Sequence, residues 1–183
     1  MLATAQEKLG DARSRFSFRE IDVQSIPFDD ASLDAVIANH MLYHVPDLSA
    51  ALAEIRRVLK PDGRLFAVTN GEEHLRELRE LRAAADLEEV NQGWRHIWSL
   101  PFNLSNGAEL LRQHFPIIDT DLYEDALVVT KVEPLVAYLA SASQEPWTAQ
   151  THQAMTDFIA AELRKQGGAI RIRKETGMFI AHG

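Results

Sequence analysis

The sequence predicts an α/β fold in which helices cover both faces of a largely parallel, doubly wound sheet. Two apolar segments typical of buried strands, "LDAVIA" and "RLFAVTN", lie on either side of an amphipathic helix. That helix carries apolar residues at the spacing of a single helical face, namely Leu48, Ala51, Leu52, Ile55 and Leu59. Short connections join the three elements, and a strand-helix-strand unit of this kind places its strands parallel in one sheet.

The elements before this unit are predicted from local patterns. Residues 1–13 have apolar positions on one stripe and predict a helix. The segment "RFSFREIDV" alternates apolar and polar residues, which predicts a strand that ends near Asp22. The turn-rich segment "SIPFDDAS" then leads to the strand that ends at Asn39. Asp47 is the expected N-cap of the helix, and "KPDG" is expected to form a tight turn after it.

The second half of the chain predicts further helices and strands. A charged helix is expected in residues 72–89, followed by the aromatic segment "GWRHIWSLPF", a helix in "AELLRQHF" and a strand in "IIDTDLY". Thr130 and Glu133 have the spacing of a capping box, so a helix is expected to begin there. A later helix should turn Met155, Phe158, Ile159 and Leu163 inward. "AIRIRKETGMFIAHG" predicts two short strands around a Lys-Glu-Thr-Gly turn, as an antiparallel C-terminal edge of the sheet.

Composition restricts the function. The 183 residues suffice for a single domain over 1–183, and a net charge of −8 argues against binding of nucleic acid. The sequence has no cysteine, which excludes disulfides, thiolate metal ligands and thiol nucleophiles. The lack of cysteine permits a reducing cytoplasm, and a cytoplasmic location is expected. No apolar run reaches the roughly 18 residues of a bilayer span, so no membrane partner is expected.

Polar residues follow the apolar runs at the point where each predicted strand ends. They are Asp22 after the first strand, Asn39 and His40 after the second, and Thr69 and Asn70 after the third. Because ligands of open α/β sheets bind outside the carboxyl ends of the strands, this pattern predicts a pocket. His40 and His44 have the i, i+4 spacing of a helical metal clip. However, His40 lies at a strand end and no H-E-x-x-H motif is present, so we expect no metal site.

Residues 21–70 resemble the central half of a class I S-adenosylmethionine-dependent methyltransferase of the small-molecule type, similar to methyltransferase type 11. The resemblance depends on four landmarks in the family's order: an acidic residue followed by "IPF", the "DAVI" strand, "YHVPD" at a helix entry, and "RRVLKPDGRL" before the next strand. It implies a Rossmann-like sheet and methyl transfer from S-adenosylmethionine to a small-molecule acceptor.

The resemblance also implies roles for individual residues. Asp22 would accept a hydrogen bond from the adenine amino group, with the backbone N–H of Val23 facing the ring edge, and Asn39 and His40 would lie beside the methionine part. His40 and His44 are the candidate general bases, and His44 is also expected at the mouth of the pocket. Residues 71–116 could form a substrate lid, in which the following would line the acceptor site: Trp94, His96 and Trp98.

Plainer interpretations of the same residues stay open. Asp22 could be a simple turn acid, Asn39 a strand-end cap, and His44 a partly buried residue hydrogen-bonded near a helix start. The aromatic cluster of the lid could equally be ordinary core.

The sequence departs from the family at its beginning. It contains neither the G-x-G-x-G turn nor the acid-ended second strand that normally hold the cofactor, so we expect an N-terminally truncated domain. The "DAVIA" strand would then have an unpaired apolar edge. This leads to three expectations: a homo-oligomer formed through that edge, a rearranged sheet, or a chain cut from a longer protein. A non-catalytic remnant that oligomerises or binds a partner is the competing hypothesis, and a nucleotide-dependent oxidoreductase is a weaker third.

Overall fold

The structure is a computed structural model that describes residues 2–91, 100–143 and 145–183. Its sheet has four strands in the order β1-β2-β4-β3: β1 (Leu33–Asn39), β2 (Leu59–Asn70), β3 (Ile117–Val129) and β4 (Ile170–His182). Seven α-helices accompany them in the described residues: α1 (Leu2–Leu9), α2 (Leu48–Val58), α3 (Arg76–Ala85), α4 (Glu88–Asn91), α5 (Gly107–Arg112), α6 (Val132–Ser141) and α7 (Ala149–Lys165). Short 3-10 helices cover Gly10–Arg15 and Leu42–His44. Among these residues, none of the helices has the length and apolar composition needed to cross a bilayer.

The predicted β1-α2-β2 unit is confirmed. β1 and β2 are parallel, with Val36 beside Leu65. The Oδ1 atom of Asp47 accepts a hydrogen bond from the N–H of Ala50 at 2.9 Å, which makes Asp47 the N-cap of α2. "KPDG" lies within β2, because that strand begins directly after α2, and the β1-β2 register shifts at this point.

The predicted strand in "RFSFREIDV" is wrong. Residues 16–22 are irregular, and Phe16 and Ile21 are 53% and 37% exposed, so this segment has no buried face. An alternating pattern forms a strand only when a neighbouring strand completes its hydrogen bonds. Residues 16–22 pair with neither of the two edge strands of the described sheet, β1 and β3.

Two further predictions about element boundaries are wrong. The N-cap of α6 is Lys131 and not Thr130, and it makes no side-chain capping bond, so Thr130 and Glu133 form no capping box. The C-terminal segment is one continuous strand and not two, because β4 pairs with β3 over its whole length and with β2 from Thr176 onward. The expected turn is therefore held inside a hydrogen-bonded ladder. Glycine suits position 177 because the Cβ atom of any other residue would lie only 2.8 Å from the Leu104 side chain, which is too close.

Two apolar clusters pack on opposite faces of β4. Ile170 and Ile172 belong to a cluster with α3, α6 and α7, whereas Phe179 and Ala181 belong to a cluster with β1, β2, α2 and α5. Alternate residues of a strand point to opposite faces, and the β4 register is continuous, so the two pairs face opposite sides. Helices therefore cover both faces of the sheet. The antiparallel strand is the C-terminal one, and β3 lies outside it.

The segment after β2 occupies a free edge of β4. Residues 170–175 of β4 extend past the carboxyl end of β2 and pair only with β3 within the sheet. The N–H of Gly71 donates to the carbonyl of Glu175 at 3.0 Å, and the N–H of Leu75 donates to the carbonyl of Arg173 at 2.9 Å. The carboxylate of Glu77 accepts from the N–H of Arg173 at 2.8 Å. Residues 71–77 therefore cover backbone groups that the sheet leaves unpaired.

Candidate functional site

The carboxyl ends of β1 and β2 lie side by side, and we call the edge of the sheet that they form with His40 and Asn70 the crevice. Asn39 is the register partner of Val68, and the N–H of His40 donates to the Val68 carbonyl at 3.0 Å. His40 has a φ of +50°, so the chain turns sharply as it leaves β1. The side chains of Asn39 and His40 are exposed at this edge.

The polar residues at the end of β2 are engaged in the structure. The Thr69 hydroxyl is buried and donates to the carbonyl of Phe102 at 3.0 Å. The Oδ1 atom of Asn70 accepts from the hydroxyl of Thr176 at 3.0 Å. Thr69 therefore links the end of β2 to the backbone at Phe102, and Asn70 links it to β4.

The turn that begins at Asp22 is joined to the start of α2. The Oδ1 atom of Asp22 accepts from the N–H of Gln24 at 2.9 Å, which fixes the exposed carboxylate in a local turn. The Oε1 atom of Gln24 accepts from the N–H of Asp47, also at 2.9 Å. Asp22 and Val23 therefore have a defined position relative to the helix that follows the crevice.

Arg57 and Glu54 of α2 clamp the "IPF" loop. The guanidinium of Arg57 donates to the carbonyls of Ile26 and Phe28 at 2.8 and 2.9 Å, and it forms an ion pair with Glu54 at 2.8 Å. Glu54 in turn accepts from the N–H of Ile26 at 2.9 Å. The hydrogen bonds from Arg57 and then that of Ile26 lower the pKa of Glu54 to about 2. Arg57, in the "RRVLKPDGRL" landmark, therefore holds the "IPF" landmark against α2 through hydrogen bonds.

An aromatic group lies next to the crevice. The rings of Tyr43 and His44 meet edge to face with centroids 4.5 Å apart, and the His40 ring is 6.5 Å from that of Tyr43. Burial raises the pKa of the Tyr43 phenol. His44 is exposed at the end of a short 3-10 helix, on a different element from His40. Within the described ranges, no three His, Asp or Glu side chains are grouped as metal ligands.

His74, in the predicted lid region, is a candidate site residue that the sequence analysis did not single out. Its Nδ1 atom lies 3.1 Å from both the backbone N–H and the carbonyl oxygen of Glu175, so it accepts from the first or donates to the second according to the tautomer of the ring. Burial lowers the pKa of this half-buried imidazole, and the hydrogen bond with the backbone of Glu175 opposes part of that shift. A histidine four residues after the end of an apolar strand was the available signal. The other expected lid residues, Trp94, His96 and Trp98, lie outside the described residues.

Comparison with known proteins shows that part of the chain is similar to a known family. The family model described as "Methyltransferase domain" matches residues 1–67. The biotin biosynthesis bifunctional protein BioHC of Saccharophagus degradans is 36% identical over 97 residues, which cover 53% of this chain and 17% of that protein. A malonyl-(acyl-carrier protein) O-methyltransferase of Xylella fastidiosa is 34% identical over 104 residues, which cover 56% of this chain and 33% of that enzyme. The chain thus spans a third or less of the length of these relatives.

Solved structures share the fold. The YcgJ protein of Bacillus subtilis aligns with a TM-score of 0.55 and 18% identity, over 97% of this chain and 74% of its own. This likeness extends the comparison past residue 67 to the α3-α7 region and to β3 and β4. Residues 1–67 are thus similar to the methyltransferase domain family, and the fold of the chain is similar to that of the YcgJ protein.

Proposed function

We propose that this chain acts in methyl transfer from S-adenosylmethionine to a small-molecule acceptor, at the crevice beside β1 and β2. The observation that carries the proposal is the joining of the Asp22 turn to the start of α2 through Gln24. It holds one cofactor-binding candidate in place relative to the strand ends where Asn39 and His40 lie.

The chemistry of the donor set fits the cofactor. A carboxylate accepts hydrogen bonds at both oxygens, and Oδ1 of Asp22 is bonded to Gln24, so Oδ2 can accept from the adenine amino group. The backbone N–H of Val23 would face the ring edge. Asn39 and His40 offer amide and imidazole groups to the amino-acid end of the cofactor.

The protein residues would mainly align the two reactants. S-adenosylmethionine supplies the methyl group together with its sulfonium leaving group, and alignment of donor and acceptor can lower a barrier by roughly 7–11 kcal/mol. His40 or His44 would accept a proton from an acceptor that must lose one. We propose that the acceptor enters beside the lid region of residues 71–116, on a path with His44, Trp94, His96 and Trp98.

Calorimetric titration with S-adenosylmethionine tests the proposal. We expect one cofactor per chain, and Asp22→Asn should weaken binding roughly tenfold, because it replaces a charged acceptor by a neutral one. Asp29→Asn is the matched control, since Asp29 is an exposed acid of the same loop. If the folded wild-type chain gives no heat of binding at millimolar cofactor, the proposal is wrong for this chain.

A second candidate is a non-catalytic module that pairs with another copy through β1. In the described residues β1 has a strand neighbour on one side only, and Ile37 is 68% exposed. The strand carries a single acid, Asp34, which is paired with Lys60 at 2.7 Å, so two copies could approach without charge repulsion. Light scattering after gel filtration should then give a dimer that Ile37→Lys dissociates. A monomeric mass for the concentrated wild-type chain would exclude this candidate.

A further inference from the structure

A cavity of about 370 Å³ lies between α3, the end of β3 and the start of α6, and we call it the α6 cavity. Buried side chains contribute to its lining, namely Leu78, Leu135 and Ile172. Leu127, Val128 and Tyr138 also line it, although they are 45%, 59% and 47% exposed. The cavity thus combines core residues with apolar side chains that are open to solvent.

The register of the sheet explains why this cavity is apolar. Leu127 and Ile172 are partners in the β3-β4 ladder, so both point to the same face of the sheet. Ile172 is 1% exposed, but Leu127 is 45% exposed. The helices therefore cover the inner strand and stop short of the outer one. The α6 cavity is therefore a gap at the edge of the α3-α6-α7 core, beside the outer strand β3.

The charge of the lining is as informative as its hydrophobicity. Among the described residues that line the cavity, Lys131 is the only charged one, and Thr130 and Tyr138 add hydroxyl groups. The whole sequence has 27 acidic and 19 basic residues, so a lining with one cation and no acid goes against the general balance. None of the crevice residues lines the α6 cavity, which is therefore a separate site.

We propose that the α6 cavity binds an aliphatic carboxylate of medium chain length. The alkyl chain would lie on Leu127, Leu135 and Ile172, and the carboxylate would meet the ammonium group of Lys131. The volume is near the lower end of the roughly 300–1,000 Å³ of ligand pockets, which suits a single alkyl chain. An aliphatic amine would bring a second cation beside Lys131, and a neutral alcohol would leave that cation without a counter-charge.

Titration of the full chain with hexanoate, octanoate and decanoate tests the alkyl part, and no methyl donor is present in the experiment. Each added methylene that enters the cavity should tighten binding about fourfold. Leu127→Asp should reduce decanoate affinity at least tenfold by placing a carboxylate on the apolar wall. Circular dichroism of the variant is the check that it is folded. Equal affinity for all three chain lengths would overturn the proposal.

Three ligands of equal chain length test the charged part. Lys131 is exposed, so solvent screens its charge, and Lys131→Gln should weaken decanoate binding by only roughly two- to fivefold. The same variant should leave decanol binding unchanged, and Lys131→Arg should bind decanoate with the wild-type affinity. Lys165→Gln is the matched control, since this exposed lysine lies at the end of α7 and does not line the cavity. Decylammonium that binds as tightly as decanoate would contradict the proposal. So would an equal loss for decanol in Lys131→Gln, which would indicate a general apolar surface such as a docking face for another protein.

Discussion

Gly71 packs against the side chain of Glu175, so the effect of Gly71→Ala on the free energy of unfolding should depend on whether that side chain is present. A Cβ atom at position 71 would overlap the carboxylate of Glu175. That carboxylate accepts a hydrogen bond from the N–H of Glu73 at 2.9 Å and so helps to hold residues 71–77 on β4. The φ of Gly71 is not positive, so alanine is compatible with the backbone there. Gly71→Ala should therefore act mainly by displacing the Glu175 side chain.

The expected free-energy changes follow from these contacts. Loss of a hydrogen bond to a charged group costs about 1.5–3 kcal/mol, and replacing glycine by alanine stabilises by about 0.4–1 kcal/mol through the unfolded chain. Gly71→Ala should then destabilise the wild-type protein by about 1–2 kcal/mol. In a Glu175→Ala background the clash is absent, and the same substitution should stabilise by about 0.4–1 kcal/mol.

Urea unfolding followed by circular dichroism measures both effects in one mutant cycle. The midpoint should shift in opposite directions in the two backgrounds, with the slope m unchanged. Hydrogen exchange at the Glu73 amide should accelerate in Gly71→Ala and in Glu175→Ala alike. The reasoning is refuted if Gly71→Ala costs the same free energy whether or not Glu175 is present.

Three other predictions concern single side chains. Because the pKa of His74 is lowered in the folded protein, the unfolded chain takes up a proton more readily, and stability should fall as pH decreases below about 6.5. His74→Gln should flatten this dependence in unfolding midpoints measured from pH 5 to 8. The lowered pKa of Glu54 contributes stability that is fully present above about pH 4.5 and is lost as the pH falls toward about 2. Glu54→Gln should therefore reduce the loss of structure in an acid titration followed by circular dichroism. Asp47→Ala should destabilise by about 0.5–2 kcal/mol in urea unfolding and Asp47→Ser by much less, because serine can also cap α2; equal losses for the two variants would contradict the capping role.

The β1-α2-β2 unit could be predicted because its determinants are close together in the chain. The apolar face of α2 and its cap at Asp47 are patterns within a dozen residues, and a short crossover leaves few arrangements of the two strands. The segment of residues 16–22 has an equally regular alternation and forms no strand. Pairing depends on a partner elsewhere in the molecule, which a local pattern does not reveal.

The same distinction separates candidate residues whose position in the fold could be predicted from one whose position could not. Asn39 and His40 follow an apolar strand directly, so the topology alone locates them at the carboxyl edge. His74 is positioned by a hydrogen bond to Glu175, 101 residues later in the chain. The sequence predicts two C-terminal strands instead of one for a related reason. Lys174, Glu175 and Thr176 have the composition of a turn, and only the pairing of β4 with distant strands shows that they continue the strand.

The change of buried face along β4 makes the two apolar clusters depend on one strand. Ile170 and Ile172 complete the first cluster, and Phe179 and Ala181 complete the second. If β4 detached, both clusters would be exposed to water together, and both of its neighbouring strands would lose their ladder hydrogen bonds. Detachment of β4 should therefore open the α3-α6-α7 region and the β1-α2-β2 region together.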